Sequence, residues 1–298
     1  MRRAIAGYAE AVAEGGVDAI YVATPPSEHA AHALLCIEAG IPVLVEKLFT
    51  SGAAEALRVA DAARSNSVFA MEAMWTRFLP AAQAMRDQLA ARSVGEVRLV
   101  AGNFGTSQAP DRANGIFNPA LGGGALAHLG AYPLSLAQWL FGPPTLVQAM
   151  GTIGSTGVDE DVAFQLQYPG GVIGSFFVSI RAWAPDDFQV LGTEGMIGVR
   201  GSIVRPYGLE VTHEAPHRPE EGRSSAGTRA SASTRSSTTS RSVQVDRAAA
   251  AAAVSTTAIP ATVITTKRTR YAPASSAVPV KARSCRCATV SPWPLLQT

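Results

Sequence analysis

The first seventy residues alternate between two kinds of apolar pattern. Residues 4–16 place apolar side chains at helical spacing, and Ala19-Ile20-Tyr21-Val22-Ala23 follows as an unbroken apolar run of strand length. A run without polar alternation suits a parallel strand covered on both faces. Thr24-Pro25-Pro26 breaks it, and residues 30–39 return to helical spacing before Gly40. Ser27 is expected to cap this helix, Glu28 to favour its positive end, and Gly40 to supply a left-handed stop. Ile41-Pro42-Val43-Leu44-Val45 is a second buried strand, ending in Glu46-Lys47; residues 53–64 make another helix, and Val68-Phe69-Ala70-Met71 a third strand. Right-handed crossovers place the three strands parallel in one sheet, with functional residues at their carboxyl ends.

From Trp75 the rhythm changes. A helix over about 78–91 precedes residues 96–105, where Val97, Leu99, Ala101 and Asn103 alternate with Arg98, Val100 and Gly102. Gly122-Gly123-Gly124 then opens a helix reaching Leu140. Strand-like segments follow at 147–153, 162–168 and 172–180, the last two joined by Pro169-Gly170-Gly171, a hairpin signal. A further hairpin pairs 188–191 with 196–199. Clustered strands with few helices predict an antiparallel sheet. The fold class is therefore α/β: a partial Rossmann-like parallel sheet, then an α+β domain with a mostly antiparallel sheet, then a disordered tail. The boundaries fall at 1–74, 75–212 and 213–298.

Charge sharpens the last boundary. The net charge of +2 divides into −6 over residues 1–212 and +8 over 213–298. The tail is rich in Arg, Ser, Thr and Ala at 223–242, homopolymeric at 248–253, and polar and β-branched at 255–269. Such segments bury too little apolar surface to offset chain entropy, so disorder is expected. The tail has no interleaved aromatics or amphipathic spacing, which argues against nucleic-acid or membrane binding. No apolar run is long enough to span a bilayer, and Glu10 and Glu14 interrupt any secretory apolar region. Three cysteines, Cys36, Cys285 and Cys287, form neither a metal pair nor a disulfide framework. A cytoplasmic protein fits.

Several residues carry candidate chemistry. Lys47 follows a buried strand, where a sheet meets its ligand crevice; it is equally read as the start of a solvated loop, or as an ion-pair partner of Glu46. His29 and His32 share a helical face, but no further ligand is spaced to complete a metal site, so no metal is expected. His128 and Tyr132, four apart, form either an acid and base or two core-edge residues. Trp75, Phe78, Phe104 and Phe117 suit a small-molecule pocket or a packed core.

In order, five strings resemble the glucose-fructose oxidoreductase/inositol dehydrogenase (Gfo/Idh/MocA) family. They are Val22-Ala23-Thr24-Pro25-Pro26-Ser27-Glu28-His29, Val43-Leu44-Val45-Glu46-Lys47-Leu48-Phe49-Thr50, Met71-Glu72-Ala73-Met74-Trp75-Thr76-Arg77-Phe78, Gly122-Gly123-Gly124-Ala125-Leu126-Ala127-His128-Leu129-Gly130-Ala131-Tyr132-Pro133 and Leu191-Gly192-Thr193-Glu194-Gly195. The tryptophan string and Tyr132 resemble the branch holding dihydrodiol and NADP-dependent xylose dehydrogenases. The resemblance implies hydride transfer between NADP, or NAD, and a small-molecule sugar or vicinal diol, in a homodimer. It implies that Thr24, Pro25, Pro26, His29, Glu46, Lys47, Trp75 and Arg77 border the cofactor. Lys47 and Tyr132, with His128, are then the catalytic group, and Trp75, Phe104, His128 and Tyr132 line the substrate pocket. An ammonium from Lys47 is expected to favour the Tyr132 phenolate, and a phenolate is the better proton acceptor.

The strings depart from the family pattern at named positions. Glu-Lys-Pro is Glu46-Lys47-Leu48 here, which is expected to loosen the lysine turn, and the usual aspartate is His128. The G-x-G-x-x-G loop that holds a pyrophosphate does not occur, so weak cofactor binding and an exposed edge on the first strand are expected. After about Thr212 the family pattern gives way to a bias resembling a GC-rich gene read out of frame, with Val280–Leu296 as the segment whose shifted reading is family-like. A non-catalytic scaffold, dimerising through the sheet and using the tail as an adaptor, is the alternative function.

Overall fold

The computed structural model describes residues 5–213 and 287–290. The expected low-complexity stretches at 223–242, 248–253 and 255–269 lie outside the described residues.

The first unit runs α1 (Tyr8–Glu14), β1 (Ala19–Val22), α2 (Pro26–Glu38), β2 (Val43–Val45), α3 (Ala53–Asn66) and β3 (Ala70–Glu72). The strands pair in parallel, β1 with β2 and β2 with β3. Ile20, Val22, Val43 and Val45 are almost wholly buried in one cluster with Ala33 and Ile37 of α2 and Ala56 and Val59 of α3. Ala19, Tyr21 and Leu44, which alternate with them, are only half-buried, so the strands bury one face more fully than the other and the expected equal cover of both faces is corrected. Ser27 does not cap α2: the helix starts one residue earlier, with Pro25 at the cap position and Pro26 at the first turn, and no side chain caps it. Proline is suited to that place because its missing N–H would have no partner there. Gly40 does end the helix, at φ 75°, with its amide donating to Ile37 O at 2.9 Å.

The edge of β1 is not bare. Cys287–Val290, in the stretch where composition suggested no element, forms β11 and pairs in parallel with β1, Ala19 against Cys287 through Val22 against Val290. Sheet order is therefore β11-β1-β2-β3. The short Cys-Ala-Thr-Val run is compatible with a strand, and the unpaired groups of β1 offer it a template.

The second unit opens with a 3₁₀ turn (Trp75–Phe78) and α4 (Pro80–Ala90), then β4 (Val97–Gly105). A π turn over Leu126–Gly130 leads into α5 (Ala131–Phe141), and the strands β5 (Leu146–Ile153), β6 (Asp159–Gln167), β7 (Ile173–Ser179), β8 (Phe188–Gly192), β9 (Gly195–Ser202) and β10 (Arg205–His213) follow. They form one sheet of order β10-β9-β8-β4-β7-β6-β5. All pairs are antiparallel except β4 with β7. That one parallel pair arises because α5 and the β5–β6 hairpin intervene before the chain returns beside β4. One face packs Val100, Phe164, Phe176, Val178, Phe188 and Val190 against α5. The other exposes Leu99, Met150, Ile173 and Phe177.

Candidate functional site

The site forms where the carboxyl ends of β2 and β3 meet the start of α5. Glu46 and Lys47 follow β2 directly. Glu46 is held at both oxygens, accepting from the Tyr21 hydroxyl at one and from the Lys47 amide at 3.0 Å at the other. The Lys47–Leu48 peptide is cis. Far from being loose, the turn is tied on two sides: His29 Nδ1 lies 2.5 Å from Leu48 O, and the Phe49 amide donates to Glu72 Oε1 at 3.0 Å. The expectation that Leu48 frees this turn is thus corrected, because those contacts reach main-chain atoms that any residue provides.

Lys47 reaches across to the second unit. Its Nζ donates to His128 O at 3.1 Å and lies 5.2 Å from the centroid of the Tyr132 ring. The π turn helps to explain the first contact. In a π register the amide five residues after His128 would serve that carbonyl, but that residue is Pro133, which has no N–H. Burial pushes the Lys47 pKa down, while the Glu46 and Glu72 carboxylates oppose the shift.

Tyr132 begins α5 beneath this ammonium. Phe104 packs on it with ring centroids 5.7 Å apart. Burial raises the phenol pKa, the Glu46 charge raises it further, and a hydrogen bond with Trp75 works the other way. The expected phenolate is therefore not favoured: Lys47 faces the ring and a carbonyl, so its charge does not offset desolvation of the hydroxyl.

His128 is pushed down to about 4 by burial and by the Lys47 charge, against a hydrogen bond to the Gly122 backbone. It is neutral at physiological pH. Its Nε2 is buried with no hydrogen-bond partner among the described residues. Since the ring donates its one proton to a carbonyl, Nε2 is left as an acceptor. His128 borders a cavity of about 630 Å³, walled on one side by Thr24, Pro25 and Pro26 and on the other by Asp111, Asn114 and Ile116.

The remaining expected residues divide. Thr24, Pro25 and Pro26 line the cavity, whereas His29 is buried behind them, bridging Thr24 O at 2.7 Å and Leu48 O. His32 points to Thr24 Oγ1 at 3.1 Å. Trp75 and Phe104 flank Tyr132 outside the residues lining the cavity. Phe117 is core, and Phe78 is exposed. Arg77 is buried, and its Nε donates to Ser135 Oγ at 2.7 Å. Sequence reasoning missed Glu72, Ser135, Asp159 and the 111–116 loop. Glu72 ends a strand, as Lys47 follows one, but a lone carboxylate there gives no sign of its later partners.

Two family models cover most of this architecture. The first, described as "Oxidoreductase family, NAD-binding Rossmann fold", matches residues 3–74, and the second, "GFO/IDH/MocA C-terminal domain", matches residues 82–198. The chain belongs to the Gfo/Idh/MocA oxidoreductase family. It is similar to trans-1,2-dihydrobenzene-1,2-diol dehydrogenase of Sus scrofa, 39% identical over 214 residues, 71% of this chain and 63% of that one. The Oryctolagus cuniculus protein of the same name is 35% identical over 226 residues, 74% of this chain and 68% of that one. The fold is similar to that of an NAD binding oxidoreductase from Klebsiella pneumoniae, with a TM-score of 0.62, 28% identity, and coverage of 70% and 59%. The chain thus spans a little under two thirds of the Sus scrofa relative.

The residues present fit the nicotinamide end of a dinucleotide. Lys47 and Tyr132 are not among the residues lining the cavity; they meet at His128, which is. The described residues contain no G-x-G-x-x-G turn for the pyrophosphate.

Proposed function

We propose that this is the hydride-transfer site of an NAD(P)-dependent dehydrogenase acting on a vicinal diol or sugar hydroxyl. The observation that carries the reading is the meeting of Lys47 with the Tyr132 ring and with the carbonyl of His128, a residue that lines the cavity. The similarity to diol dehydrogenases supports the substrate class. NADP is the proposed cofactor, with NAD the other form; when bound it accepts or supplies the hydride.

The protein's own residues handle the proton and the orientation. Tyr132, a neutral phenol, donates to the substrate oxygen in carbonyl reduction and receives the proton back in alcohol oxidation. Lys47 stabilises negative charge developing on that oxygen. His128, on the cavity lining, stands beside the neighbouring hydroxyl of a diol. Thr24, Pro25, Pro26 and Glu46 border the cofactor ring.

The domain boundaries at 74 and 212 and a cytoplasmic location belong to the same proposal. None of the described helices is long and apolar enough to cross a membrane. A homodimer formed through the open sheet face is also proposed, supported by the exposed Leu99, Met150 and Phe177.

The test is turnover of the 298-residue polypeptide with millimolar NADP and a panel of diols and pentoses, followed by reduced-nicotinamide absorbance. Formation of reduced cofactor that Tyr132→Phe cuts by about 10²-fold or more is expected. Turnover unchanged in that variant, or none with any substrate at millimolar cofactor, overturns the reading.

A further inference from the structure

We infer that Glu72 is the positioning residue for Lys47, holding the turn that aims the ammonium at the Tyr132 ring. Glu72 ends β3 and is the register partner of Val45, two residues before Lys47. Its Oε1 takes the Phe49 amide, two residues after Lys47, so the carboxylate stands beside the turn that aims the ammonium. Arg77 lies five residues further on; its guanidinium is buried and is influenced by the Glu72 charge without forming a direct ion pair with it. That guanidinium donates to Ser135, which is itself buried and one helical turn beyond Tyr132 on α5. The carboxylate therefore touches the lysine half of the site, and the arginine the tyrosine half.

The charge, and not just the shape, is what the arrangement needs. The groups facing Glu72 are Arg77, Lys47 and Glu46. A glutamine at 72 would still accept the Phe49 amide, but it would remove one of the two carboxylates that favour the Lys47 charge, Glu46 remaining, and the one that favours the buried Arg77. Buried cations that lose an anion are disfavoured. Burial raises Glu72 to about 7, with Arg77 and Lys47 pulling it down, so its charge is set by these neighbours.

The catalytic meaning of this inference rests on the dehydrogenase reading; its test does not, because it uses the cofactor-free protein. The chain has three lysines, Lys47, Lys267 and Lys281. Reductive methylation with carbon-13 leaves each a titratable tertiary amine whose protonated form keeps one N–H, and Lys47→Arg identifies the Lys47 resonance. Glu72→Gln is expected to lower the Lys47 midpoint by about one pH unit or more, and Glu72→Asp to restore most of it. The unsubstituted protein is expected to show a second, smaller inflection of the Lys47 resonance near neutral pH as Glu72 itself ionises, so a poorly folding Glu72→Gln still leaves a reading. A Lys47 midpoint within about 0.3 unit of the original in folded Glu72→Gln, or no such inflection, overturns the inference. Absent turnover with a shifted Lys47 midpoint would count against the dehydrogenase reading alone.

Discussion

The Lys47 ammonium stands 5.2 Å from the centre of the Tyr132 ring and gives its hydrogen bond to the His128 carbonyl, not to the phenol oxygen. Desolvation therefore governs Tyr132, whose pKa rises. A neutral phenol suits proton donation. Tyr132 itself is expected to impose no pH dependence on carbonyl reduction between about pH 6 and 8, while alcohol oxidation climbs with pH as the phenol becomes able to take up a proton. Initial rates in both directions check this; an oxidation rate that levels off below neutral pH would contradict it.

Three buried groups near this pair set an unusual pH dependence of stability. Glu72 rises from 4.5 to about 7 and Asp159 from 3.8 to about 6, both through burial, whereas His128 falls from 6.5 to about 4. Between about pH 4.5 and 6 the folded protein keeps two carboxyl protons that the unfolded chain has released. Over the same range it lacks one imidazole proton that the unfolded chain holds. The folded state binds about one proton more, so stability falls as pH rises, by ~1.4 kcal/mol per unit. Burial raises Asp187 as well, which adds in the same sense. Urea unfolding across this range measures the slope. Glu72→Gln removes one of the terms and is expected to flatten it; an unchanged slope would show that Glu72 does not hold its proton.

The seven-stranded sheet leaves Leu99, Met150, Ile173 and Phe177 exposed on one face. Phe177 lies on β7, beside Ala163 of β6 and Asn103 of β4, near the middle of that face. If the face joins two copies, Phe177→Asp buries two like charges at the contact and is expected to weaken association by about tenfold or more. Sedimentation equilibrium of both proteins decides. A parent chain that is monomeric at micromolar concentration removes the dimer.

Much of this was legible in the residues, and the failures have physical causes. The apolar runs at 19–23 and 41–45 marked the parallel strands, though not that one face of each is buried more fully than the other. Ser27 misled because a proline already occupied the first turn, so no side-chain cap was required. The α-helical spacing of His128 and Tyr132 concealed the π turn between them, which spacing alone does not distinguish from an α-helix. Glu72 and Asp159 were missed for one reason. A lone carboxylate in sequence carries no sign of whether it will be buried, and their importance comes from partners 23 and 33 residues away. Likewise β11 was invisible because its pairing depends on an edge far off in the chain.

Asp159 shows how such a distant carboxylate supports the site. It starts β6, yet its Oδ2 accepts from the Leu126 amide at 2.7 Å, and the Ala125 amide also serves it. It thus caps the turn that carries His128 and leads into Tyr132, whose first amides otherwise lack partners. Gly124 makes room for it, since a Cβ there would lie 2.1 Å from Asp159 Oδ1 at a backbone φ of +129°. Asp159→Ala leaves buried amides unpaired and is expected to cost about 1–3 kcal/mol, with Asp159→Asn losing less because an amide oxygen still accepts. Gly124→Ala should destabilise through both the close approach and the strained backbone. Thermal unfolding of the three variants measures the order. Asp159→Ala melting with the parent protein would mean that water serves those amides equally well, and that α5 needs no anchor from β6.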